Sequence, residues 1–133
     1  MASIGLVVAA FNAPITERME EQAHEAAAEH GADVVETLRV PGAYDTPLAA
    51  DRLARRDDVD AVVVLGAIIT GDTDHDQVIA NAAAQGLTDV SLDRDTPVAL
   101  GITGPGMTPE EAMDRVEKGA NTLKSALEMV DQL

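Results

Sequence analysis

An unbroken apolar run, Ala61-Val-Val-Val-Leu-Gly-Ala-Ile-Ile69, limits what this chain can fold into more than any other segment. No polar residue alternates with the apolar ones. The segment Asp60–Ile69 therefore reads as a strand buried on both faces, the kind found in a parallel sheet covered by helices on both sides. The chain leaves it through Gly71 into a polar turn and delivers Thr73 and His75 to the start of a helix. A hydroxyl, free backbone N–H groups and an imidazole at the C-terminal end of such a strand suit an anion-handling active site. They equally fit an ordinary turn that ends in a surface histidine.

The rest of the chain alternates in the same way. Ile4–Ala10 reads as a first strand. Ile15, Met19, Ala23, Ala26, Ala27 and His30 recur at helical spacing, with Gly31 as the stop. Val34–Val40 reads as a second strand. Pro47–Arg56 reads as a helix capped by Thr46, with proline at its first position. After Asp60–Ile69 come a helix of small apolar residues over Asp74–Ser91 and a strand over Pro97–Ile102. The last helix opens at the capping box Thr108-Pro-Glu-Glu111 and is expected to run unbroken to about Asp131. This order predicts an α/β fold, a three-layer α/β/α sandwich around a four-stranded parallel sheet. Ligands bind such sheets beyond the carboxyl ends of the strands. Those ends hold Phe11-Asn12, Pro41–Asp45, Gly66–His75 and Gly101–Gly106, where glycine, proline and polar residues gather.

At 133 residues the chain is expected to form a single domain, 1–133, with a real core. No apolar run approaches the roughly 20 residues needed to span a bilayer. The N-terminus lacks a basic region and reads as a strand, so a cytoplasmic location is expected. The absence of cysteine excludes thiolate chemistry, disulfides and thiolate metal sites. Twenty-four acidic residues face 9 basic ones, a net charge of −15, and Lys118 and Lys124 are the lysines. Nucleic acid and anionic membranes both require a basic footprint, so neither is expected as a partner. An acidic excess spread along the whole chain suits a high-salt cytoplasm, where self-repulsion is screened within roughly 3 Å at 1 M salt.

Three groups of residues could carry chemistry. His75 is the histidine on the ligand edge, since His24 and His30 fall on the first helix; imidazole titrates near neutrality and suits proton transfer. No nucleophile motif and no metal-ligand spacing appears, which leaves acid–base chemistry on a substrate that brings its own nucleophile. Gly71, Asp72 and Thr73 could cradle a phosphate through backbone N–H groups, or Thr73 or Asp74 could simply cap the helix. A phosphate in so acidic a chain needs a cation. Arg115 is a candidate, although Glu111 offers it a helical ion pair, and its place roughly 10 Å along the last helix makes a neighbouring subunit's site the easier one to reach. The two aromatic residues, Phe11 and Tyr44, both follow strands on the ligand edge. They could stack on a flat heterocycle or plug the end of the sheet. Asp45 could bind polyol hydroxyls or cap the helix after it.

With these motifs in order the chain resembles the lumazine synthases, the enzymes that make 6,7-dimethyl-8-ribityllumazine in riboflavin biosynthesis. The resemblance rests on Phe11-Asn12, Val40–Ala50, Leu65–His75, Asp89–Leu92 and Pro97–Gly101, and it covers nearly the whole chain. Gly101–Thr108 is similar to the archaeal branch. The resemblance implies a lumazine synthase, flavodoxin-like fold. It also implies condensation of 5-amino-6-(D-ribitylamino)uracil with 3,4-dihydroxy-2-butanone 4-phosphate, without metal or organic cofactor. Residue by residue, Phe11 would stack on the pyrimidine, and Ala43, Tyr44 and Asp45 would meet the ribityl chain. Ala67, Ile68 and Ile69 would present backbone groups to the ring. Asp72 and Thr73 would hold the phosphate, and His75 would move protons. Leu100 and Arg115 would come from an adjacent subunit of a homo-oligomer, a pentamer or a 60-subunit capsid of pentamers with active sites at subunit interfaces.

Compared with the commoner bacterial pattern, Asp45 stands in place of glutamate, Leu100 in place of phenylalanine and Thr70 in place of arginine. Other readings remain at this point: the paralogous archaeal riboflavin synthase, a flavin- or nucleotide-binding module of flavodoxin-like fold, and a shell protein.

Overall fold

A computed structural model describes residues 1–133. Its elements are β1 (Ser3–Ala9), α1 (Ala13–Glu29), β2 (Asp33–Val40), α2 (Thr46–Ala54), β3 (Ala61–Ile69), α3 (His75–Arg94), β4 (Val98–Met107), α4 (Pro109–Met113) and α5 (Lys118–Gln132). The strands form one wholly parallel sheet in the order β2-β1-β3-β4. Helices cover both of its faces, so the three-layer architecture is the one the alternating pattern predicts.

β3 divides the interior in two. Ala61, Val63, Leu65 and Ala67 point to one face, where they pack with Ile4, Leu6, Met19 of α1 and Leu123 of α5. Val62, Val64 and Ile68 point to the other, against Leu53 of α2 and Leu87 of α3. A period of two with both faces buried is why the run contains no polar residue. Each buried valine, leucine or isoleucine contributes about 1.5–3 kcal/mol relative to exposure. α2 and α3 are further tied by Asp51, whose carboxylate meets Arg94 at 2.8 Å and Arg55 at 2.7 Å. Hydrogen bonding to Arg94 and then to Arg55 holds that carboxyl below its usual value against the opposing effect of burial.

The strands β1 to β3 begin and end within a residue of expectation, while four later or shorter elements depart further. β4 continues well past Ile102 to Met107. Its register against β3 jumps from Ala67↔Thr103 to Ile69↔Met107, so Gly104, Pro105 and Gly106 form a bulge on an edge strand rather than a loop. The last helix is broken. Residues 114–117 form a turn in which Arg115 N bonds Ala112 O, Lys118 N bonds Arg115 O and Gly119 N bonds Val116 O, a tighter i→i−3 pattern that redirects the chain into α5. The capping box at its start is present: Thr108 Oγ1 accepts from Glu111 N, and Glu111 Oε1 accepts from Thr108 N. α2 begins at Thr46 and ends at Ala54, and the Thr46 hydroxyl donates to Ala43 O at 2.7 Å instead of capping. A 3₁₀ turn over Ala43–Asp45 precedes it. α3 starts at His75, with Asp74 outside, and extends to Arg94. His30, placed by periodicity on the buried stripe of α1, is exposed at the helix end. No helix is long and apolar enough to cross a membrane.

Candidate active site

The C-terminal ends of β1, β2 and β3 surround an open pocket of about 590 Å³. The turn after β1 supplies Phe11 and Asn12, the turn after β2 supplies Gly42, Ala43, Tyr44 and Asp45, and the end of β3 supplies Ala67, Ile68 and Ile69. Gly71 and the first turns of α3, with His75, Asp76 and Ile79, close the fourth side. Eight of the expected site residues are thus brought together: Phe11, Ala43, Tyr44, Asp45, Ala67, Ile68, Ile69 and His75.

The aromatic residues are not plugs. Phe11 is 66 % and Tyr44 63 % exposed, in a chain whose interior is otherwise aliphatic. Rings left in water forgo most of the burial energy that would justify a packing role, and their flat faces remain available to a planar ligand. Phe11 lies across Gly42, where a Cβ would come within 2.7 Å of the ring. Asn12 adopts the left-handed conformation (φ 65°), and its Nδ2 donates to Ala67 O at 3.0 Å. That bond ties the Phe11 turn to the end of β3. Asp45 Oδ2 accepts from Gly42 N at 3.0 Å, so the carboxylate braces its own turn while remaining exposed at the pocket.

On the β3–α3 side, His75 N donates to Thr73 Oγ1 at 3.2 Å, which uses the hydroxyl to start the helix. Asp72 and Thr73 are exposed on the rim between Gly71 and His75 and do not line the pocket. Leu100 and Arg115 lie elsewhere. Leu100, 48 % exposed on β4, borders a separate groove of about 470 Å³ with Lys118, Asn121 and Met129. Arg115 sits in the turn after α4, and its Nη1 donates to the Glu111 carbonyl at 2.9 Å. The expected helical ion pair is replaced by this backbone bond, because the Glu111 carboxylate is engaged by Thr108 N. The bond from Thr108 N to that carboxylate, then the Thr108 side chain and the nearby Arg115 charge, hold the Glu111 carboxyl below its usual value. No group of three or more His, Cys, Asp or Glu side chains is placed to hold a metal ion.

The family model of 6,7-dimethyl-8-ribityllumazine synthase matches residues 1–133. The chain belongs to this family. It is 63 % identical over 133 residues to the 6,7-dimethyl-8-ribityllumazine synthase of Halobacterium salinarum, covering 100 % of both chains. It is 62 % identical to that of Halorubrum lacusprofundi, covering 100 % of this chain and 99 % of the relative. The corresponding protein of Methanococcus maripaludis is 46 % identical, with coverage of 100 % and 97 %. The two most similar of these lumazine synthases come from halophiles, in keeping with the net charge of −15.

Asn12, Gly42, Asp76 and Ile79 were not among the expected site residues, whereas Gly71, a candidate for the phosphate cradle, does line the pocket. Asn12 had a usable signal, since asparagine is among the residues enriched in the left-handed conformation. Asp76 had only its place beside His75.

Proposed function

We propose that this pocket is one half of a lumazine synthase active site. The chain is a transferase of riboflavin biosynthesis. It condenses 5-amino-6-(D-ribitylamino)uracil with 3,4-dihydroxy-2-butanone 4-phosphate to give 6,7-dimethyl-8-ribityllumazine, phosphate and water. The observation that carries the site assignment is that the two exposed aromatic rings, the free end of a buried strand and His75 share one pocket. Family membership over the whole chain favours this reading over riboflavin synthase or a flavin-binding module.

The assignment of roles follows from chemistry at each wall. Phe11 stacks on the pyrimidine, and the backbone of Ala67, Ile68 and Ile69 meets its polar edge. Ala43, Tyr44 and Asp45 receive the ribityl hydroxyls. Asp72 and Thr73 hold the phosphate through the backbone of the β3–α3 turn, helped by the positive end of α3. The 5-amino group of the uracil attacks the ketone and water departs, leaving an imine. Loss of a carbon-bound proton then expels phosphate. The enol left behind takes up a proton at its terminal carbon to become a ketone, the ribitylamino nitrogen closes the ring on that carbonyl, and a second water leaves. Each step needs orientation and a proton carrier, which is the part assigned to His75.

Leu100 and Arg115 complete the site from an adjacent subunit. Neither lines its own chain's pocket, which supports this, as does the need for a cation beside the phosphate. The assembly is a homo-oligomer of pentamers, free or arranged as a 60-subunit capsid, in the cytoplasm. Each chain acts as one domain over residues 1–133 and uses no metal or organic cofactor.

The test is to incubate the purified chain with both substrates at molar salt, following lumazine fluorescence and phosphate release together. Equimolar formation of the two products above the uncatalysed background is expected. A rate equal to background would overturn the reading.

A further inference from the structure

Of the 24 acidic residues, Asp76 alone is buried, at 8 % exposure. A carboxylate in an apolar wall is costly unless its oxygens are hydrogen-bonded, so its retention calls for a reason. Its position in the first turn of α3 would suit the helix dipole, but an exposed side chain serves that purpose equally well. The more informative fact is its partner. Asp76 Oδ2 accepts from Gly106 N at 3.1 Å, across 30 residues of chain and from the bulge of β4.

The turn between β3 and α3 is therefore held at both ends by adjacent residues of one strand. Where it leaves β3, Thr70 N donates to Met107 O at 2.9 Å. Where it enters α3, Asp76 accepts from Gly106. Gly71, Asp72, Thr73 and His75 lie between these two anchors. Phe11, Ala43 and Tyr44, on the aromatic side of the pocket, follow β1 and β2, neither of which pairs with β4.

We propose that Asp76 is a positioning residue that clamps the β3–α3 turn to the β4 bulge, setting the phosphate-holding backbone and His75 relative to the pyrimidine shelf. The inference rests on the pocket being the lumazine synthase site. Misplacing reacting groups by about 1 Å can cost on the order of 10²-fold in rate. Steady-state kinetics at molar salt with each substrate varied in turn would test the clamp. Asp76→Ala is expected to raise KM for the phosphate-bearing substrate about tenfold and lower kcat by roughly 10- to 100-fold, with KM for the uracil within about twofold. Asp76→Asn keeps an oxygen acceptor at the same reach and should recover that KM to within about threefold.

Asp76→Glu keeps the charge but moves the acceptor by one methylene, so it should be worse than Asp76→Asn. This ranking decides the matter even if the alanine variant does not fold. Wild-type kinetics in Asp76→Ala, both KM values rising together, or Asp76→Glu outperforming Asp76→Asn would each overturn the clamp. A wild-type chain that forms no lumazine would instead overturn the function on which the inference rests.

Discussion

Replacing His75 by alanine is expected to lower kcat by about 10²-fold, the lower range for a general acid–base residue, with little change in either KM. His75 lines the pocket at the start of α3, and in the proposed site stacking and hydrogen bonding to the uracil come from the other three walls. Its removal takes away a proton carrier and leaves orientation in place. Residual turnover should remain for that reason, since holding the amine against the ketone lowers the barrier independently of proton transfer. Single-turnover measurements of lumazine formation, run with saturating substrates, separate this loss from product release. An unchanged rate would make His75 an ordinary surface residue at a helix start and move the proton carrier elsewhere.

A second large effect is expected at Gly104, in the β4 bulge. Its φ is +102°, and a Cβ there would lie 2.2 Å from the Ile68 carbonyl oxygen. Gly104→Ala therefore combines a backbone conformation costing about 1–3 kcal/mol with overpacking that costs about 1–3 kcal/mol more. A loss of about 3 kcal/mol would lower Tm by roughly 10 °C in a chain of this size. Because the displaced carbonyl belongs to the proposed pyrimidine shelf, binding of the uracil should weaken as well. Gly31→Ala is the comparison. Gly31 also has positive φ, +68°, but nothing lies within 4 Å of its Cβ position, so only the conformational cost applies. Scanning calorimetry of both variants at molar salt checks the difference. Equal Tm values for the two would show that the close approach to Ile68 does not constrain the bulge.

Local pattern carried most of the fold. The unbroken run at Ala61–Ile69 declared a strand buried on both faces, and its alternate residues do fill two separate cores. Proline and capping residues marked helix starts to within a residue or two, as at Pro47 and Thr108. Gly104-Pro105-Gly106 was misleading because the same residues that punctuate loops also allow a bulge on an edge strand. Only the pairing partner, here β3, distinguishes the two outcomes. The break between α4 and α5 was hidden for a related reason. Asp114–Glu117 contains no helix breaker, and the turn depends on where α5 must pack rather than on local propensity.

The site divided along the same line. Residues contributed by strand ends were legible, since a parallel sheet places all its carboxyl ends on one edge. The links between those ends were not. Asn12 to Ala67 and Asp76 to Gly106 join residues 55 and 30 positions apart, and no spacing rule announces such bonds. Leu100 and Arg115 stand away from the pocket of their own chain, so the proposed site is incomplete within a single subunit.

Subunit complementation tests that incompleteness most directly. His75→Ala and Arg115→Ala chains, each nearly inactive alone, are mixed in equal amounts, dissociated at low salt and reassembled at molar salt. In a ring where each site takes His75 from one subunit and Arg115 from the next, about a quarter of the sites regain both residues. Recovery of about a quarter of wild-type lumazine synthesis is the expected result for that heterologous interface. A mixture no more active than its separate components would contradict a site shared between neighbours.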